Sequence, residues 1–182
     1  MNRIGVLGGS RAPPGSAEYD AARAIGREIA LRGGVVVCGG YGGVMEAACR
    51  GAAENGGGSI GIVLAGRGDP NRWVSRSEIA PDLGTRLRRL RDEPRAWIVL
   101  PHGLGTLLEI AWITESIAKG ESAPRPLVFL GDFWRALAST MLEEAAGPQR
   151  DALSRSLAWA ETPAEAADLA FRKVERLGPA RS

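Results

Sequence analysis

Apolar and polar positions along this chain fall into blocks of two kinds. Residues 4–7, 35–38, 60–64, 96–100, 126–130 and 157–160 are short, nearly unbroken apolar runs rich in β-branched residues, as in strands buried on both faces. Residues 77–80 form a further short candidate. The stretches between these runs follow a helical period. After Ser16, a residue suited to cap a helix, Ala22, Ile25 and Ile29 share one face and Gly33-Gly34 stop the pattern. Residues 44–54 read as a second helix. A third begins at Pro81, carries the stripe Leu83, Leu87 and Leu90, and ends before Pro94. A fourth runs from Thr106 to about Lys119 and is apolar on most sides through Leu107, Leu108, Ile110, Ala111, Trp112, Ile113 and Ile117, which predicts burial inside the fold or against another copy. Residues 132–144 and an Ala-rich segment entered through Thr162-Pro163 complete the set.

Strands alternating with helices predict an α/β protein: a Rossmann-like open, mostly parallel sheet with helices on both faces and right-handed crossovers. One domain over residues 1–177 is expected, with residues 178–182 fraying. Ligands of such sheets bind at the carboxyl ends of the strands.

Composition narrows the chemistry. Twenty-three basic residues stand against 21 acidic ones, so no charge excess points to nucleic acid or a membrane surface. No run approaches the ~18 apolar residues of a membrane span and the N-terminus has no signal-peptide core, so a cytoplasmic protein is expected. Two cysteines, Cys38 and Cys49, without a C-x-x-C pair, and a single histidine, His102, argue against zinc, a disulfide framework and a His-based triad. No metal and no cofactor are expected. The only lysines are Lys119 and Lys173, poor candidates for a pyridoxal-binding residue.

Gly makes up 25 of 182 residues, about twice the usual share of ~7%, and the glycines gather at strand ends. Gly8-Gly9-Ser10, Gly39-Gly40-Tyr41-Gly42-Gly43 and Pro101-His102-Gly103-Leu104-Gly105-Thr106 would line one edge of the sheet. The last leads into a helix whose free N–H groups and dipole suit a phosphate. The first lacks G-x-G-x-x-G, and no acidic residue ends the second strand, which disfavours a dinucleotide; the absence of G-x-x-x-x-G-K-[ST] excludes a Walker-type site. A mononucleotide or sugar phosphate fits what is left. The loop over residues 65–75 is a candidate lid or rim.

Glu109 admits two readings. Thr106-x-x-Glu109 has the spacing of a capping box, while the apolar Trp112 and Ile113 one turn on would desolvate the carboxylate and suit it to acid–base work. Among Arg86, Arg88, Arg89 and Arg91, a rotation of about 100° per residue leaves Arg86 and Arg91 flanking the leucine stripe, able to lay their stems on apolar surface and reach a pocket; geometry does not choose between them. His102 reads either as a turn residue facing solvent or as a phosphate or proton contact. Met45 has the character of packing, and Glu46 that of a first-turn acid complementing the helix dipole.

Taken together, Gly39-Gly40-x-Gly42-Gly43-Val44-Met45, an Arg in the helix preceding the third Gly turn, and Pro101-x-Gly103-x-Gly105-Thr106-x-x-Glu109 resemble the LOG (Lonely Guy) family, long labelled as lysine decarboxylases. The resemblance covers about residues 4–134. Aligned without gaps back from Glu109, the family's catalytic Arg falls on Arg86. The resemblance implies a homodimeric phosphoribohydrolase that cleaves the N-glycosidic bond of a nucleoside 5′-monophosphate, typically adenosine monophosphate substituted at N6. Arg86 and Glu109 would then be catalytic, and the Gly8, Gly39–Met45 and Pro101–Thr106 segments would hold the nucleotide. Two positions depart from the pattern: His102 stands where the family has Gly, and Leu87 where it has Lys. Similar proteins bind nucleotides or the molybdenum cofactor on the same edge without catalysis, which is the alternative reading.

Overall fold

The computed structural model describes residues 1–176; the expected frayed tail at 178–182 lies outside them. The strands are Arg3–Leu7 (β1), Val35–Cys38 (β2), Gly58–Leu64 (β3), Arg76–Ala80 (β4), Ala96–Val99 (β5), Leu127–Leu130 (β6) and Leu157–Ala160 (β7). The helices are Ala17–Leu31 (α1), Val44–Ala53 (α2), Leu83–Asp92 (α3), Leu104–Ala118 (α4), Arg135–Glu144 (α5), Pro148–Ser156 (α6) and Pro163–Arg176 (α7). All pairings are parallel, in the order β4-β3-β2-β1-β5-β6-β7. The α/β, Rossmann-like sheet expected from the sequence is the fold of the protein.

Successive residues of a strand point to opposite faces, and this divides the core in two. On one side Ile4, Val6, Val36 and Ile98 pack beneath α1, α2 and α7. On the other, Leu7, Trp97, Val99 and Phe129 pack beneath α4 and α6 through Ile110, Ile113, Ile117 and Leu153. Trp97 is fully buried and donates its indole N–H to the Leu90 carbonyl at 2.9 Å. Burial of each such large apolar side chain stabilises the fold by about 1.5–3 kcal/mol. Cys38 and Cys49 are free, buried thiols whose sulfurs lie 3.5 Å apart. Among the described residues no helix is long and apolar enough to cross a membrane.

Several elements differ from the sequence reading. Ser16 caps α1 as expected, accepting from the Tyr19 N–H at 3.2 Å. Leu83 leaves the stripe assigned to it and is 44% exposed, because Asp82 caps α3 and puts Leu83 in the first, outermost turn. α6 was not anticipated; its Pro at the first turn is a start signal, but Ala152 and Leu153 make a thin apolar stripe. α4 begins at Leu104, two residues before Thr106. Only its inward face is buried: Leu104, Leu108 and Trp112 are 83%, 41% and 36% exposed.

A nucleotide-sized cleft at the switch point of the sheet

The chain builds outward from β1 through β2 and β3 to β4, then returns to place β5 on the other side of β1. Loops leaving β1 and β5 therefore diverge, and a crevice opens between them, as it does at the switch point of any open parallel sheet. Here the crevice is a cleft of about 710 Å³. Its wall contains Gly8, Gly9, Ser10, Gly39, Met45, Arg86, His102, Gly103, Leu104, Gly105, Thr106 and Glu109. Of the residues expected at the site, Gly40, Gly42, Gly43 and Pro101 are not part of that wall. The glycines at 40–43 instead seat the β2–α2 turn against its neighbours: Gly43 is the N-cap of α2, with φ +66°, and the Val44 N–H donates to the Gly9 carbonyl at 3.0 Å.

The start of α4 is built differently. Gly103, with φ +100°, is its N-cap, and the first N–H of the helical ladder is that of Leu107, bonded to the Gly103 carbonyl at 3.0 Å. The N–H groups of Leu104, Gly105 and Thr106 precede the ladder, and all three residues line the cleft. This resolves the reading of Glu109. Thr106 is the third helical residue, not the cap, so no capping box exists. Glu109 lies in the second turn on the inward face.

Arg86 reaches the same place from α3, which packs beside α4 on the same face of the sheet. Asp82 fixes the start of α3 by accepting from the Thr85 N–H at 2.7 Å, and Leu87 and Leu90 turn the helix onto the sheet. Arg86 then donates from Nε to the Ile62 carbonyl at 2.8 Å and from Nη2 to the Gly39 carbonyl at 3.4 Å. Its guanidinium passes so close to Gly39 that any Cβ there would collide with it. Nη1 comes to 3.7 Å from Oε1 of Glu109, with the two side chains 13% and 11% exposed. Arg91, the other candidate, is engaged elsewhere, with Asp92 at 2.7 Å and Ser116 Oγ at 3.1 Å.

Burial pushes the Glu109 carboxyl up to about 7, against the opposing pull of the Arg86 charge. At 3.7 Å the guanidinium is too far to hydrogen-bond and offsets desolvation only in part. An acid of this kind changes protonation state near neutrality, where general acid–base chemistry needs it to.

His102 is the one non-glycine residue with positive φ among the described residues, at +65°. Its Nε2 lies 2.9 Å from Glu18 Oε1, its ring meets Phe133 edge-on with centroids 4.3 Å apart, and its side chain is half-exposed. It stands at the rim and does not plug the α4 start. Lys119 sits at the far end of α4, paired with Glu115 at 3.6 Å, outside the cleft. Sequence reasoning missed Arg11, Ala12, Pro13, Glu18 and Arg67 of the wall. The signal for Arg67 was its place in the 65–75 loop, already expected to rim the pocket; Arg11 directly follows the first Gly turn.

An open helix start and a Gly-rich strand end, meeting at the switch point of a parallel sheet, define a Rossmann-like nucleotide-binding fold. The chain belongs to the SLOG cluster4 family, whose model matches residues 1–148, in agreement with the kinship read from the motifs. An uncharacterized protein of Archaeoglobus fulgidus is 33% identical over 132 residues, 72% of this chain and 85% of the relative. Among solved structures, the molybdenum cofactor binding protein of Rippkaea orientalis superposes with a TM-score of 0.73 at 23% identity, covering 97% of both chains. The molybdenum cofactor carrier protein of Chlamydomonas reinhardtii gives 0.76 at 21% identity, covering 96% of this chain and 99% of that one. At these identities the two structures share the fold.

Proposed function

We propose that the protein hydrolyses the N-glycosidic bond of a nucleoside 5′-monophosphate, adenosine monophosphate (AMP) or an N6-modified analogue, to free base and ribose 5-phosphate. The observation that carries this reading is the buried Arg86–Glu109 pair, set 3.7 Å apart in the same cleft as the open start of α4. The phosphate docks on the N–H groups of residues 104–106 and on the Gly8–Ser10 turn, which places the ribose over the second turn of α4. Ionised Glu109 stabilises positive charge developing on the sugar as the bond to the base lengthens, and takes a proton from the attacking water. Arg86 orients the nucleotide and offsets negative charge gathering on the departing base. Incubation of a panel of nucleoside monophosphates, followed by chromatography, should show base release. Glu109→Ala should abolish turnover while nucleotide binding persists; normal turnover in that variant defeats the assignment.

A non-catalytic carrier of an intact phosphorylated ligand is the second reading. One observation favours it: solved structures alike over at least 96% of this chain are described as binding or carrying the molybdenum cofactor. Tight calorimetric binding of a nucleotide, with no base released on long incubation, would select this reading. In either case the outward face of α4, with Leu104, Leu108 and Trp112 exposed beside the cleft, supports a homodimer. Sedimentation analysis of the wild type and of Leu108→Glu would test that pairing.

A further inference from the structure

Two cationic side chains of the cleft have no task in the chemistry above. Arg11 follows the β1 turn, Arg67 lies in the 65–75 loop after β3, and both line the cleft. The other titratable side chains of the wall have partners within it: Arg86 faces Glu109 at 3.7 Å, and His102 Nε2 lies 2.9 Å from Glu18 Oε1. Among the described residues neither the Arg11 nor the Arg67 guanidinium has a hydrogen-bond or carboxylate partner. A wall with three guanidiniums against two carboxylates, two of the guanidiniums without a partner among the described residues, suits an anionic ligand.

Arg11 belongs to the end of β1, beside β5 and the α4 start, where the 5′-phosphate is placed. Arg67 belongs to the end of β3. Neighbouring strands are spaced by about 4.8 Å, and β5, β1, β2 and β3 are consecutive, so the ends of β5 and β3 are roughly 14 Å apart. A mononucleotide anchored by its phosphate at β5 runs its ribose past Glu109 and Arg86 and its base toward Gly39, just past β2, and Met45, on α2. What projects from the far edge of the base then meets Arg67. An apolar N6 chain there would strip water from a guanidinium and return nothing for it. A carboxylate would accept two parallel hydrogen bonds from the planar fork.

We infer that the ligand of this cleft carries a second anionic group, a carboxylate on a substituent of the base, and that Arg67 selects for it. The inference rests on the nucleotide reading above and specifies its substrate class: acidic base-substituted nucleoside monophosphates in preference to those with apolar tails.

Isothermal titration of the intact protein with three probes tests it: AMP, N6-benzyl-AMP and N6-succinyl-AMP. The succinyl compound should bind at least tenfold more tightly than either of the others, with a preference that shrinks as salt is added. Arg67→Ala should bring the three affinities to within about twofold of one another, and Arg67→Lys should restore part of the spread. Equal or tighter binding of the benzyl compound by the wild type, or a preference that survives Arg67→Ala, overturns the role of Arg67 while leaving the nucleotide reading in place. Failure of the wild type to bind any of the three overturns both.

Discussion

The helices α2 and α4 start alike and are put to opposite uses. Each follows a buried strand through a Gly-rich turn, each has a glycine N-cap with positive φ, Gly43 at +66° and Gly103 at +100°, and neither has a side-chain cap. At α2 the β1 turn occupies the helix mouth: the Val44 N–H donates to the Gly9 carbonyl, and a Cβ on Gly43 would run into the backbone of Gly9 and Ser10. At α4 the first three residues line the cleft, and a Cβ on Gly105 would meet nothing within 4 Å. At α2 the leading N–H is used in holding the fold together; at α4 the leading N–H groups face the cleft and stay available to an anion. A glycine turn before a helix thus marks a place where backbone can be approached, without saying whether protein or ligand approaches it.

The contrast is sharpest in a pair of identical substitutions, the first of which has the largest expected effect. Gly43→Ala forces a side chain into a left-handed backbone against a neighbouring main chain, so it should cost about 3 kcal/mol or more in a denaturant titration. Retained stability would mean that the α2 mouth is not filled as described.

The acid behind the α4 mouth gives the next effect. Because burial raises Glu109 from 4.5 to about 7, the folded state holds a proton that the unfolded chain releases in that interval. The stability this contributes is present in full below pH ~4.5, falls as pH rises toward ~7, and is gone above it, a change of up to about 3 kcal/mol. Glu109→Gln should remove that slope from unfolding curves recorded between these limits; an unchanged slope would place its origin elsewhere.

Gly39→Ala should displace the Arg86 guanidinium from its channel and lower base release roughly a hundredfold, the cost of misplacing a positioning group by about an ångström. A rate within twofold of wild type would show that Arg86 need not pass there. The smallest effect belongs to Gly105→Ala. It should leave stability unchanged or raise it by less than ~1 kcal/mol, since Ala suits a helix and nothing obstructs it. The same methyl group sits where a phosphate would dock and should weaken AMP binding about tenfold, read by calorimetry. Loss of stability in this variant would erase the distinction between the two helix starts.

How far the sequence could be read depended on whether each signal was local. Strands β1, β2 and β5 showed as apolar runs because parallel strands are buried on both faces, and Ser16 showed as a cap because capping involves residues three apart. The start of α4 was misplaced by two residues because Gly105 reads as a turn residue, although the first helical turn tolerates it well: its N–H groups have no helical partner to lose. α6 went unseen because its buried side is so narrow. The choice between Arg86 and Arg91 was beyond periodicity altogether, as both flank the same stripe. Family resemblance favoured Arg86, and the carbonyls of Ile62, in β3, and of Gly39, just past the end of β2, are what hold it.

The chain by itself determined the alternation of strand and helix, the glycine-rich strand ends and the short list of side chains able to do chemistry, since each is written in residues close along the sequence. Tertiary structure decided which glycine turn stays open, which arginine meets Glu109, and that Arg67 faces the cleft. Those outcomes depend on strand order and on the close approach of segments 20 or more residues apart, where the distance between side chains is set by the sheet and not by their separation along the chain.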